Sequence, residues 1–298
     1  MPAPELSKPD GTPLPARLRF LRRLFAGGPR PVRSALLYAT PRLIAPCLPA
    51  LVARYPDGRA FFLPADHGPY AEVFTLGEFE PAQTAVVRKL LRPGDFAVDV
   101  GANLGWFSLV MADRVGPGGG VLALEPMPPT LVFLKKNLEL NGQLPIELVE
   151  SAVGAESGQV DIHLFEGLPH GHASASTLDR TDYATHRADV RRLDELLAGK
   201  PEPAFVKLDV EGSELAVLQG AEETLAAETP PIWMIEVNYE TSGAFGYTPL
   251  DLLTPFRERG GYATYRIRDG DLAPELNPET APNGSNWVLV PRGREDRL

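Results

Sequence analysis

FAVDVGANLGW (residues 96–106) is the stretch on which the reading of this 298-residue chain turns. Phe96, Ala97, Val98 and Val100 form an apolar run of strand length, and Gly101 permits a sharp exit from it. From Trp106 to Val115 the apolar positions are dense enough for a helix packed on a sheet, and Gly116-Pro117-Gly118 stops it. Strand, glycine turn and helix N-terminus make the ligand-binding corner of an open α/β sheet, where free backbone N–H groups face the crevice beyond the strand ends.

The loop departs from a dinucleotide fingerprint, because Asn103 and Trp106 stand where the second and third glycines belong. An indole does not suit the close helix contact that the third glycine permits. Asp99 adds a carboxylate, which suits an ammonium or sulfonium better than a pyrophosphate. The next apolar run, VLALE (residues 121–125), ends in Glu125, ~20 residues past the loop, where an acid accepts hydrogen bonds from ribose hydroxyls. Ribose without pyrophosphate, beside a positive centre, points to S-adenosylmethionine. An NAD-dependent oxidoreductase on the same sheet is the alternative, and Asn103 and Trp106 speak against it.

Working outward, a hydrophobic content of 44% and a charged content of 23% are those of an ordinary globular protein with a real core. The net charge of −10 argues against nucleic acid as the principal partner. Cys47 is the only cysteine, so neither an intrachain disulfide nor a thiolate metal site is expected, and a cytoplasmic location fits.

Residues 1–57 read as an N-terminal extension and 58–298 as the catalytic domain. Within the extension, Arg17, Arg19, Arg22 and Arg23 interleave with Leu18, Phe20, Leu21, Leu24 and Phe25 in a short basic amphipathic helix. One reading lays it across its own acidic domain; the other gives it a weak surface contact with a membrane or partner. The apolar residues 35–53 are broken by Pro41, Pro46 and Pro49, so no transmembrane segment is expected.

RAFFL (59–63) and EVFTL (72–76) read as short strands, and Glu80-Pro81 opens a helix through Leu91. A helix over 128–141 leads to a strand at 146–150, with Ser151 and Ala152 at its carboxyl end, where an adenine edge meets backbone groups. GQVDIHLF (158–165) alternates as an added strand. The polar loop after it holds His170 and His172, read as solvated loop histidines at the substrate mouth rather than as metal ligands. AFVKLD (204–209), a helix over 213–227 and IWMIEV (232–237) place Asp209, Glu211, Glu236 and Asn238 at neighbouring strand ends. Residues 262–268 and 287–290 close the sheet as an antiparallel pair.

These residues carry a resemblance. The chain resembles the FkbM family of S-adenosylmethionine-dependent methyltransferases through GEFE (77–80), VDVGANLGWFS (98–108), LEP (124–126), VKLDVEGSELAVLQGA (206–221) and IEVN (235–238). The resemblance implies a class I methyltransferase (Rossmann-like) fold, a mostly parallel seven-stranded sheet, and methyl transfer to a hydroxyl of a sugar, glycan or secondary metabolite. Asp99, Gly101, Asn103, Gly105 and Glu125 match cofactor positions, while Asp209 and Glu211 match the acidic block and are the expected catalytic pair. Glu80, Ser151 and Ala152 join the expected cofactor site. A carboxylate with an ordinary pKa of ~4 is a weak base for an alcohol, so proton transfer to Asp209 or Glu211 falls late in the reaction or draws on neighbouring acids. A divalent ion on Asp209, Glu236 and Asn238 is a second, metal-assisted route.

Overall fold

The computed structural model describes residues 3–26, 44, 47–65, 67–165, 173–275 and 281–298. Near the N-terminus, β1 (Glu5–Ser7), β2 (Ala50–Arg54) and β3 (Ala60–Pro64) form a three-stranded antiparallel sheet, so β2 precedes and β3 follows residue 57. This sheet is pinned to the rest of the chain by aromatic packing. Trp106 stacks on Phe61 with centroids 4.4 Å apart, meets Tyr55 edge-on at 5.9 Å, and donates its indole N–H to Thr84 Oγ1 at 3.0 Å.

The main sheet begins with β4 (Phe96–Val100), β5 (Gly120–Leu124) and β6 (Ile146–Val149), which step outward in parallel. A second, four-stranded sheet is then inserted: β7 (Ala152–Val153), β8 (Gly158–Phe165), β9 (Ala173–Ser174) and β10 (Tyr183–Arg191), in the order β7-β10-β8-β9. The chain returns through β11 (Phe205–Leu208) on the other side of β4, followed in parallel by β12 (Ile232–Val237). β13 (Tyr262–Arg268), β14 (Asp271–Pro274) and β15 (Ser285–Pro291) complete the sheet antiparallel, in the order β14-β13-β15-β12-β11-β4-β5-β6. Strand order reverses between β4 and β11. A crevice therefore opens beyond their carboxyl ends, where ligands bind in folds of this kind.

Both faces of the central strands are covered, which is why their sequences run apolar without a break. Val98, Val100, Val206, Leu208, Trp233 and Ile235 belong to one core, while Ala97 shares the other with Phe107, Val110 and Met111 of helix Trp106–Val115. This is the class I methyltransferase arrangement, with one difference from the expected seven strands. β14 pairs with β13 at the outer edge and makes an eighth.

Two further expectations change. EVFTL is not a strand but the end of helix Gly68–Leu76, capped by Gly77 at φ 87°. Tyr70, Val73 and Phe74, at i, i+3 and i+4, are all fully buried, and that period is helical. The helix expected over 213–227 splits into Glu214–Gln219 and Glu222–Leu225. Gly220 lies at the break, where a Cβ would stand 2.1 Å from the Gly154 carbonyl oxygen. β2 and β10 were not anticipated. His170 and His172 lie outside the described residues.

The basic helix, Ala16–Ala26, lies on the protein, with Leu18 packed against the core. No helix among the described residues is long and apolar enough to cross a membrane.

The contact at Gly220 leaves no room for a methyl group. Gly220→Ala is expected to lower unfolding free energy by about 1–3 kcal/mol, read as a shift of the urea midpoint at unchanged slope.

Candidate active site

The carboxyl ends of β4, β5, β11 and β12 converge on the loop Gly101–Gly105. Gly101 turns out of β4 at φ 83°, and its missing side chain lets the loop touch the next strand, since a Cβ there would stand 1.9 Å from the Asp209 carbonyl oxygen. Asn103 also takes a left-handed conformation, φ 50°. Its N–H donates to Glu125 Oε2 at 2.8 Å, and the Met127 N–H donates to Oε1 at 2.9 Å. Burial pushes the Glu125 carboxyl up to about 7, against the opposing effect of these two N–H groups.

Two cavities meet at this loop. The first is lined by Gly101, Asn103, Glu125, Ser151 and Ala152, with Val160, Ile162, Ala173 and Val190 of the inserted sheet as its far wall. Two polar atoms at this cavity, Ser151 Oγ and Asn103 Oδ1, are buried without a hydrogen-bond partner. Unmet polar atoms beside an acid and an apolar wall suit a nucleoside: a flat base between apolar surfaces, with hydroxyls toward Glu125.

The second cavity is acidic. Glu72, Glu80, Asp209, Glu211 and Glu236 line it with Lys207, and Phe79 and Phe107 form its apolar part. Lys207 is 3% exposed, with Nζ 2.9 Å from Asp209 Oδ2 and 5.0 Å above the Phe107 ring. Burial alone would lower its pKa, yet the carboxylates of Asp209, Asp99 and Glu80 hold it above the ordinary lysine value. Burial, reinforced by Asp209, pushes Glu80 up to about 8 despite Lys207, and burial with Asp209 and Glu211 nearby pushes Glu236 up to about 10. Asp209 and Glu211 line both cavities.

The loop 209–212 that carries these two acids is held from three sides. Glu214 Oε1 accepts the N–H groups of Val210 at 3.1 Å and Gly212 at 3.2 Å, and Tyr247 donates its hydroxyl to Glu214 Oε2 at 2.8 Å. From the inserted sheet, Ser174 Oγ donates to the Glu211 carbonyl oxygen at 2.8 Å. Glu211 itself sits at φ 54°, and Gly212 could not carry a side chain, because a Cβ would meet the Phe245 ring at 2.6 Å.

Of the residues singled out from the sequence, Glu80, Gly101, Asn103, Glu125, Ser151, Ala152, Asp209 and Glu211 line one cavity or both. Two do not. Gly105 caps helix Trp106–Val115 and packs on Leu134, whose Cδ1 lies 2.5 Å from where a Cβ would be. Asp99 is fully buried on the helix side of β4, where Ser108 Oγ donates to Oδ2 at 2.6 Å, so it stands behind the loop and not in the crevice. Strand alternation accounts for this, since Val98 and Val100 face the other way. Asn238 is committed elsewhere, because its Oδ1 accepts the N–H groups of Glu240 at 3.1 Å and Thr241 at 3.2 Å as a helix cap. Among the described residues, no group of three His, Cys, Asp or Glu is arranged to hold a metal ion. Lys207 went unread, although a lysine inside an apolar strand, two residues before an acid, was the available signal.

The profile of the methyltransferase FkbM domain matches residues 99–262, from β4 into β13 and so across both cavities. The chain belongs to the FkbM methyltransferase family. It is 30% identical over 148 residues to methyltransferase 1 of Beauveria bassiana, a match covering 43% of this chain and 59% of that one. It is 30% identical to methyltransferase sdnD of Sordaria araneosa, over 52% of this chain and 68% of the relative. To the 31-O-demethyl-FK506 methyltransferase FkbM of Streptomyces tacrolimicus it is 31% identical, over 52% and 70%. The match to the first of these relatives thus leaves two fifths of its length without a counterpart. The matched region is a methyltransferase domain, and the unmet Ser151 Oγ and Asn103 Oδ1 beside Glu125 fit the nucleoside part of S-adenosylmethionine, the cofactor of that family.

Glu125, Glu80 and Glu236 bind protons more tightly folded than unfolded, so the stability they contribute is fully present below the ordinary glutamate range and is lost as pH rises toward about 7, about 8 and about 10. The melting temperature of the ligand-free protein is expected to fall between about pH 5 and pH 9. Glu236→Gln should flatten the upper part of that slope in a thermal-denaturation series.

Proposed function

We propose that the chain is an O-methyltransferase acting on a hydroxyl of a sugar, glycan or secondary metabolite. The observation that carries this reading is that Asp209 and Glu211 line both cavities, the nucleoside-shaped one and the acidic one, and so stand where donor and acceptor meet. Glu125 takes the ribose hydroxyls, Ser151 and Ala152 the adenine edge, and Gly101 and Asn103 the backbone approach to the rest of the cofactor, with Glu80 facing its ammonium. S-adenosylmethionine supplies an electrophilic methyl group on a sulfonium, whose carbon–sulfur bond breaks as the new carbon–oxygen bond forms.

The protein's own task is then alignment and proton removal. Positioning a hydroxyl in line with the methyl group contributes up to roughly 7–11 kcal/mol. The hydroxyl proton passes to Asp209 or Glu211, whose loop is fixed by Glu214, Tyr247 and Ser174. Lys207, 2.9 Å from Asp209, orients that carboxylate and balances its charge. The name of the Streptomyces tacrolimicus relative, a methyltransferase for an O-demethylated metabolite, supports an oxygen acceptor.

Glu125→Ala is expected to weaken S-adenosylmethionine binding by roughly tenfold to a hundredfold in calorimetry. Incubating the purified protein with cofactor and a hydroxylated-metabolite extract should yield a product heavier by one methyl group on oxygen, and Asp209→Asn should slow its formation by about a hundredfold or more. Methylation on nitrogen, or an Asp209→Asn enzyme at full rate, would remove this assignment.

A further inference from the structure

Apart from the two cavities of the crevice, β1, helix Ala16–Ala26 and the end of helix Gly68–Leu76 enclose a pocket lined by Glu5, Leu14, Arg19, Arg22, Thr75 and Gly77. Arg22 is half-buried there. Its Nη1 donates to the Pro4 carbonyl at 2.9 Å and its Nε to the Phe74 carbonyl at 3.3 Å, and no carboxylate among the described residues pairs with it. Burial lowers the pKa of this guanidinium, opposed only by the Tyr55 phenol, so the cation lacks the counter-charge that buried charges ordinarily have.

Two more groups at the same pocket are unmet. Arg19 is exposed and makes no ion pair among the described residues. Thr75 is 1% exposed, and its Oγ1 is buried with no hydrogen-bond partner. Glu5 contributes the pocket's one carboxylate, which binds neither arginine. A half-buried guanidinium, a second guanidinium and an unused hydroxyl donor together match the several acceptor oxygens of a phosphate group.

We propose that this pocket is a binding site for a phosphate group, carried by a soluble metabolite or by a lipid headgroup, with Arg19, Arg22 and Thr75 as its donors. The site is independent of which acceptor is methylated. It also bears on the crevice, because Thr75 lies five residues before Glu80, and the intervening Gly77 carbonyl is fixed by the Tyr55 hydroxyl at 2.6 Å. Phosphate held at Thr75 is therefore anchored to the chain segment that carries one acid of the second cavity.

The test uses the full chain, with inorganic phosphate as probe in chloride buffer, read by calorimetry and by melting temperature. The expected result is saturable binding at one site with a rise in melting temperature. Thr75→Val keeps the side-chain shape and removes a hydroxyl that bonds to nothing, so it should melt no lower than the parent without phosphate. Yet it should bind phosphate roughly tenfold more weakly, as should Arg19→Gln. Arg22→Gln also loses the ties to Pro4 and Phe74, so Thr75→Val and Arg19→Gln carry the decision. Flotation with phosphatidylcholine vesicles, with and without phosphatidic acid, separates the sources: attachment only to the acidic vesicles, competed by phosphate, identifies a headgroup, and phosphate binding without attachment identifies a soluble ligand. No saturable phosphate binding, or affinity unchanged in both Thr75→Val and Arg19→Gln, overturns the proposal.

Discussion

A lysine ammonium enclosed by carboxylates is the constraint on which the crevice depends. Lys207 sits on a strand covered on both faces, directly across from Asp99 in the register of β11 and β4, with Asp209 in contact and Glu80 nearby. A buried cation is unfavourable alone, as is a buried cluster of acids, and each offsets the other. The arrangement also gives Asp99 a role. From behind the glycine loop it counters the charge of Lys207, while Ser108 satisfies one of its oxygens.

Around that centre the chain divides the labour between two surfaces. The parallel strands supply the turn at Gly101 and the acids at their ends, as the fold requires. The wall opposite comes from the inserted sheet, whose small and branched residues Val160, Ile162, Ala173 and Val190 leave a flat apolar face. Left-handed backbone at Asn103 and Glu211, neither of them glycine, falls where the two cavities join. Strain of that kind persists only where neighbours fix it: Glu125 holds Asn103, and Glu214, Tyr247 and Ser174 hold the loop of Glu211.

Much of this was legible in the chain itself. The runs at 96–100, 158–165 and 232–237 coincide with β4, β8 and β12, because continuous or strictly alternating apolar residues leave little doubt about burial. Reading failed where local pattern and tertiary demand diverge. EVFTL is too short to distinguish two periods, and Tyr70 upstream is what reveals the helical one. In β10, YATHRADVR, Ala188 is the single buried side chain, so the strand carries almost no apolar alternation and depends on pairing with β8. Asp99 was assigned to the ligand by its place in a motif, when the side-chain alternation of a strand sends it to the opposite face. For Lys207 the chain shows only Asp209, two residues on; the acids that complete its surroundings, Asp99 and Glu80, are distant in sequence and reach it only after folding.

Two of the contacts that fasten the inserted sheet bear on the acid loop and its helix. Near its start, the backbone at Gly154 presses on Gly220, and at β9 the Ser174 hydroxyl grips the acid loop. An insertion tied in this way is no interchangeable cassette. Any lineage that remodels the wall of the first cavity around β9 inherits an altered hold on Glu211, so that wall and the acid loop between the two cavities change together.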